Sequence, residues 1–363
     1  MTAYIYMIIA VIFYGIACFR KGMTKRNKKA FLCLAFIHMG MIMAMRNYEV
    51  GNDTRAYYIY FLRWGEAGRQ IGGATQPVYY WYNQLLYAIT HNGQAVIICN
   101  SVLELIGVAL FIYYFSEDVF LSSYLWITLY FFCESMNIAR QFLALSIVMA
   151  AFVLLWEKNR TKEAVLLVLL AIGIHSLVIT VIPIFAIKFI RLTRKKIYIL
   201  AGGGMLFVLL FDTLFSFMIN LFCRIFPYYS QYLRAGMFNV YNRGGSRNVL
   251  LIIFYAAFVI LGLFFVERKE LSETKRKNLM VLLVPCIITV AIGFGAVNIV
   301  SVQRVKVLYS TFFICLIPNI ISCFNRRDRK MISIAVMLVT LLPFAVQLSE
   351  NYGGVVPYQF FWQ

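Results

Sequence analysis

The sequence predicts an all-α polytopic membrane protein, and three observations carry this. Hydrophobic residues make up 62% of the 363 residues and charged residues only 13%. A soluble globular chain is about half apolar and about a quarter charged. Apolar runs of roughly 20 residues, long enough to cross a bilayer as helices, recur from one end of the chain to the other. The basic residues collect in clusters between those runs. No polar stretch is long enough to form a separate soluble domain, so residues 1–363 read as one integral membrane domain.

The formal charge of +19 has a simple explanation in such a chain. Lysine and arginine accumulate in cytoplasmic loops. Most of the basic residues lie in five segments: Arg20 to Lys29, Lys158 to Lys162, Lys188 to Lys196, Arg268 to Lys277, and Arg326 to Lys330. All five are assigned to the cytoplasm, and no nucleic-acid partner is then needed.

The elements follow in order. Ala3–Phe19 descends; it lacks the basic start and small-residue cleavage site of a signal peptide and reads as a retained span. Ala30–Met45 returns. Residues 46–92 form an outer loop whose last part, Pro77–Ile89, is rich in tyrosine and reads as an interfacial helix. Ala95–Phe115 descends, Phe120–Ser135 ascends and Ala139–Trp156 descends. Ala164–Ile190 begins and ends beside basic loops and is too short for two full spans, so it reads as a broken or re-entrant pair meeting near His175. Ile197–Cys223 ascends to a second outer loop, residues 224–247. Val249–Val266, Leu279–Gly295, Val305–Cys323 and Met331–Gln347 complete about ten full spans.

This arrangement, derived from charge alone, gathers the unusual polar residues at the outer boundary. They are Arg46, Asp53, Arg55, Arg140, Gln141, His175, Arg243, Arg247, Gln303 and Arg304. Outside the five basic segments, Lys306 is the only lysine. Lysine signals topology as well as arginine does, whereas arginine is the better bidentate grip on phosphate. Ionisable residues inside spans are costly and often mark a substrate path. Guanidiniums around a few proton acceptors suit a phosphate-bearing substrate, and on this side of a membrane a lipid-linked pyrophosphate is the natural candidate.

Plainer readings stand beside this one. Outer arginines can anchor helix ends at the interface. His175 can hydrogen-bond one helix to another, and Asp53 can cap a helix starting near Thr54. Glu104 can serve as a structural partner of a nearby arginine. The eight cysteines form no C-x-x-C pair and read as small buried side chains. Neither a metal nor a cofactor is indicated.

Four patterns, in order, resemble the EpsG family of bacterial exopolysaccharide proteins. The first runs Arg46-Asn-Tyr-Glu-Val-Gly51-Asn-Asp53-Thr-x-x-Tyr57. The second is Ile138-Ala-Arg140-Gln141-Phe-Leu-Ala144. The third is Ala171-Ile-Gly-Ile-His175-Ser176. The fourth joins Gln303-Arg304 with the terminal Val356-Pro-Tyr358-Gln-Phe-Phe-Trp362. Where an acidic residue is expected shortly before Tyr79, Gln76 stands instead.

The resemblance implies a Wzy-type glycosyltransferase in the bacterial cytoplasmic membrane, with its active face outside the cell. It would polymerise undecaprenyl-pyrophosphate-linked oligosaccharide repeat units, with chain-length regulator and flippase proteins as partners. Under it, Arg140 and Arg304 bind the pyrophosphate, with Arg46, Arg55, Gln141, Arg243, Arg247 and Gln303 in support. His175 or Asp53 accepts the proton of the attacking hydroxyl. Tyr79 and Tyr80 stack against sugar rings, or anchor the interface. A lipid-linked-sugar flippase, a glycan ligase and a non-catalytic assembly subunit are the rival classes.

Overall fold

The computed structural model describes residues 1–20, 22–67, 76–190, 192–225, 230, 245–295 and 300–363. Among them every extended element is a helix, and the one β-type pairing is an isolated antiparallel bridge between Arg46 and Phe360. The chain divides into two compact units, residues 1–185 with 326–363, and residues 186–325.

The first unit contains α1 (Thr2–Phe19), α2 (Lys25–Ala44), α3 (Thr54–Ala67), α4 (Pro77–Ile89), α5 (Gln94–Phe115), α6 (Val119–Thr128), α7 (Phe131–Asn137), α8 (Ala139–Trp156), α9 (Thr161–Ile174) and most of α10 (Ile182–Ala186). The late helix Arg326–Ser349 returns to it. α8 is its central helix: 72% of that span is buried, against 33% of α1. α5 packs on α8 and α2, α9 packs on α8, and α3 and α4 pair as a short hairpin. Gly107 allows the α5–α8 contact, because a Cβ there would lie 2.4 Å from the Ser146 carbonyl oxygen. Small residues permit such close backbone approach between membrane helices.

α4 has the bounds expected for the interfacial helix, with Pro77 in its first turn, where the missing N–H costs nothing. α6 and α7 replace the expected single span Phe120–Ser135 by two helices bent by 52°. The bend is at Tyr130, whose φ of 73° is left-handed. Its hydroxyl donates to the Tyr352 carbonyl at 2.8 Å, so a long-range contact supports a conformation that its own side chain disfavours. α9 ends with His175 as its C-cap, and a 3₁₀ helix, Ser176–Val181, continues from there.

The second unit holds α11 (Arg194–Leu209), α12 (Phe211–Ile225), α13 (Gly245–Glu267), α14 (Glu273–Gly295), α15 (Val300–Ser310) and α16 (Phe313–Ile321). α14 packs against α11, α13, α15 and α16. α13 and α16 meet through Tyr255 and Phe313, whose rings stack at 4.1 Å. Arg276 is buried and closes the α13–α14 turn, donating to the carbonyls of Val266 at 3.2 Å and Arg268 at 2.9 Å. The late helix is α17 (Arg326–Ser349), and short 3₁₀ turns lie at Ile187–Phe189 and Tyr352–Gly354.

Six of these helices are long and apolar enough to cross a membrane, or up to nine if each bent pair counts as one span. The sequence predicts about ten full spans, and the length and composition of the described helices account for six to nine of them. Ile197–Cys223 is interrupted between α11 and α12 by a bend of 83°, and Val305–Cys323 between α15 and α16 by one of 41°. α2 starts at Lys25, so its apolar part begins only at Ala30. Those fifteen or so residues rise roughly 22 Å at ~1.5 Å each, short of the ~30 Å hydrocarbon core.

Candidate functional site

The first pattern begins where α2 ends. Arg46 is 1% exposed. Its guanidinium donates to the Met43 carbonyl, to Ser101 Oγ at 3.1 Å and to the Met136 carbonyl at 3.4 Å. Burial lowers its pKa to about 10, against the opposing pull of Glu104, so it remains protonated at neutral pH. Gln94 Nε2 donates to the carbonyls of Ala44 and Arg46. Arg46 therefore ties α2, α5 and α7 together and sits beneath the surface. Arg46→Met leaves several buried acceptors without a donor, each at about 1–3 kcal/mol. Thermal melting in detergent should show a large loss of stability; a melting temperature equal to wild type would contradict this assignment.

The loop that follows is held from two sides. The N–H groups of Gly51 and Asn52 donate to the carbonyls of Gly354 and Gly353, at 2.8 and 3.0 Å. Asn47 N–H donates to the Gln359 carbonyl at 2.9 Å. The terminal segment of the fourth pattern thus lies across the first. On the other side, Thr54 Oγ1 donates to the Met136 carbonyl at 2.8 Å, and the Asp53 N–H donates to Asn137 Oδ1 at 3.2 Å. Met136 and Asn137 close α7, three to four residues before Arg140. The first, second and terminal patterns, distant in sequence, are one packed structure.

Arg140 lies in the first turn of α8 and is half-buried. Its guanidinium carbon sits 5.5 Å from the Tyr57 ring centre and 5.5 Å from that of Tyr79. Its Nε is buried and has no hydrogen-bond partner among the described residues. Ring faces attract a cation without using its N–H groups, so the guanidinium is held in place while its Nε–H remains available.

Tyr57 comes from α3 and Tyr79 from α4, and both belong to an aromatic cluster. Trp64 meets Tyr79 and Tyr80 edge-on at 6.2 and 5.8 Å, and Tyr60 stacks on Trp64 at 5.4 Å. The third pattern reaches the same helix. α9 packs on α4, and a Cβ on Gly173 would lie 2.3 Å from Val78 Cγ2. His175, two residues on, is half-buried at the end of α9.

The structure therefore gathers Arg46, Asp53, Arg140, His175, Tyr79 and Tyr80 on elements of the first unit that pack on one another. Gln141 follows Arg140 and is 1% exposed. α3 starts at Thr54, directly after Asp53. Arg55 is exposed and pairs with Glu49 at 3.6 Å. Exposed pairs contribute about 0–1 kcal/mol, so Arg55→Ala should leave the melting temperature nearly unchanged. Gln303 and Arg304 lie on α15 of the second unit, half-buried and exposed respectively. Arg243 lies outside the described residues; Arg247 is in the first turn of α13, with its side chain outside the description. Among the described residues no three of His, Cys, Asp and Glu gather as metal ligands.

Sequence reasoning did not single out Asn83, Asn100, Ser101 or Asn137. Asn100 and Ser101 interrupt an apolar run. That signal was available, but attention to ionisable groups alone passes over neutral amides.

Fold and site together define a multi-pass, all-α membrane protein with a buried arginine support and a second arginine presented between aromatic rings. The profile described as the EpsG family matches residues 29–360. The chain belongs to the EpsG family, a family of Wzy-type polymerases. No curated protein and no solved structure matches it.

Proposed function

We propose that this protein joins oligosaccharide repeat units carried on undecaprenyl pyrophosphate, at the outer face of the bacterial cytoplasmic membrane. A hydroxyl of the acceptor's terminal sugar attacks the anomeric carbon of the donor. The bond to the lipid pyrophosphate breaks, and the pyrophosphate takes the electron pair. Arg140 binds the leaving pyrophosphate and stabilises its growing charge. The observation that carries this reading is the Arg140 guanidinium, held by Tyr57 and Tyr79 with its Nε unpaired among the described residues. Asp53 or His175 takes the hydroxyl proton. Arg46 supports the loop from below. Arg304 and Gln303 enter this reading through the family resemblance, and Arg243 and Arg247 through the outer-loop position read from charge, as further pyrophosphate contacts. Chain-length regulator and flippase proteins are its proposed partners in the membrane.

The test is purified protein with defined lipid-linked repeat units. Glycan ladders longer than one unit support polymerisation. Transfer of an intact glycan to another acceptor would make it a ligase, and movement of the lipid-linked sugar without new bonds a flippase. Asp53→Asn and His175→Ala separate the two bases. The base's variant should lower kcat by about 100-fold or more with KM little changed, and the other should remain within about tenfold. If both variants turn over like wild type, neither residue is the base.

A further inference from the structure

Two amides beside Tyr79 have unused acceptors. Asn83 is 1% exposed and Asn100 is 2% exposed. Asn83 donates its Nδ2 to the Tyr79 carbonyl at 2.7 Å. A carbonyl only accepts, so the amide orientation is dictated and Oδ1 points away from that bond. Asn100 donates its Nδ2 to the Tyr79 hydroxyl at 3.3 Å. The Oδ1 atoms of both, like Arg140 Nε, are buried and have no hydrogen-bond partner among the described residues. An unsatisfied buried polar atom costs about 1–3 kcal/mol, and lipid offers it no partner. Three such atoms border one tyrosine, contributed by α4, α5 and α8.

Their chemistry is complementary to one kind of ligand. Two amide oxygens accept hydrogen bonds and a guanidinium N–H donates one. The neighbouring groups are the aromatic rings of Tyr57, Trp64, Tyr79 and Tyr80. A sugar ring brings hydroxyl donors and a C–H face that packs on aromatic rings, and a phosphate on its anomeric oxygen accepts from arginine. Gln76 Oε1, at the start of α4, is a further buried acceptor without a partner among the described residues.

We propose that Asn83 and Asn100 form a sugar subsite beside Arg140, accepting hydroxyls of the donor sugar that carries the pyrophosphate and so setting which sugar is accepted. This rests on the reading of Arg140 as the pyrophosphate ligand. Neither asparagine touches the reacting bond in this assignment; both determine specificity.

The experiment uses the full chain in detergent, with farnesyl pyrophosphate and a panel of glycosyl farnesyl pyrophosphates, hexoses and N-acetylhexosamines, as probes. Wild type should bind at least one glycosylated probe about tenfold or more tighter than farnesyl pyrophosphate alone. Asn83→Ala and Asn100→Ala should each lose most of that preference and keep wild-type affinity for farnesyl pyrophosphate. Arg140→Ala should weaken both. Asparagines that serve only packing would lower both affinities together, or neither, and either result overturns the subsite. Wild type that does not bind farnesyl pyrophosphate at all overturns the pyrophosphate reading instead. Asn83→Ser and Asn100→Ser, which keep a short polar group, carry the same comparison if an alanine variant does not fold.

Discussion

Arg140→Ala is expected to lower polymerisation of lipid-linked repeat units by about 100-fold or more, the scale seen when one preorganised donor to a developing negative charge is removed. Its folding should survive. The guanidinium contacts two ring faces, and its Nε has no partner among the described residues. Loss of those ring contacts costs about 0.5–2 kcal/mol. Arg140→Lys should restore only part of the rate. An ammonium keeps the charge and the attraction to Tyr57 and Tyr79, but lacks the planar fork that grips two phosphate oxygens at once. Glycan ladders and melting temperature, measured on the same preparations, check both halves. Ladders as long as wild type from Arg140→Ala would end the assignment of this residue to the pyrophosphate.

Gly51→Ala is expected to damage folding and activity together. Gly51 has a φ of 98°, and an added Cβ would lie 2.5 Å from the Met136 carbonyl oxygen and 2.6 Å from Thr54 Oγ1. The strained backbone alone costs roughly 1–3 kcal/mol, and the clash adds to it. Relief would require the loop to move away from Met136, breaking the bond from Thr54 and the register with Gly353 and Gly354. Gly202→Ala is the control, because no atom of the described residues lies within 4 Å of its Cβ position. Inside α11, alanine should match or exceed glycine in stability. Size-exclusion profiles and thermal melting of the two variants make the comparison. A Gly51→Ala protein that melts with wild type would show that the loop does not require this close approach.

These two positions were unequally legible. Gly51 stands between Arg46 and Asp53 in a pattern that marks the loop, but its reason for being glycine is the Met136 carbonyl, 85 residues away in the chain. Arg46 and Arg140 are the same residue type at the same expected boundary, and composition cannot rank them. Their neighbours do. Ser101 and two backbone carbonyls accept from the terminal nitrogens of Arg46, whereas the ring faces of Tyr57 and Tyr79 flank Arg140; the Nε of each is buried without a partner among the described residues. Asn83 and Asn100 were passed over for the same reason, since an amide's spare acceptor shows only when its surroundings are known.

By itself, the sequence determined what depends on a short stretch of chain. Apolar length and the grouping of basic residues establish an all-α membrane protein. Pro77 and the tyrosine-rich run after it mark α4, and the short apolar segment between basic loops marks the break at His175. These are local properties, set by helix length, missing N–H groups and the cost of charge in lipid. Tertiary structure alone decided the bends. Tyr130 adopts its left-handed turn beside Tyr352, and α11 and α12 diverge within a run whose one charged residue is Asp212. It also set what surrounds each arginine, Ser101 and backbone carbonyls at Arg46 and the Tyr57 and Tyr79 rings at Arg140. Hydrogen bonds and ring contacts between residues far apart in the chain make that distinction, and local composition carries no record of them.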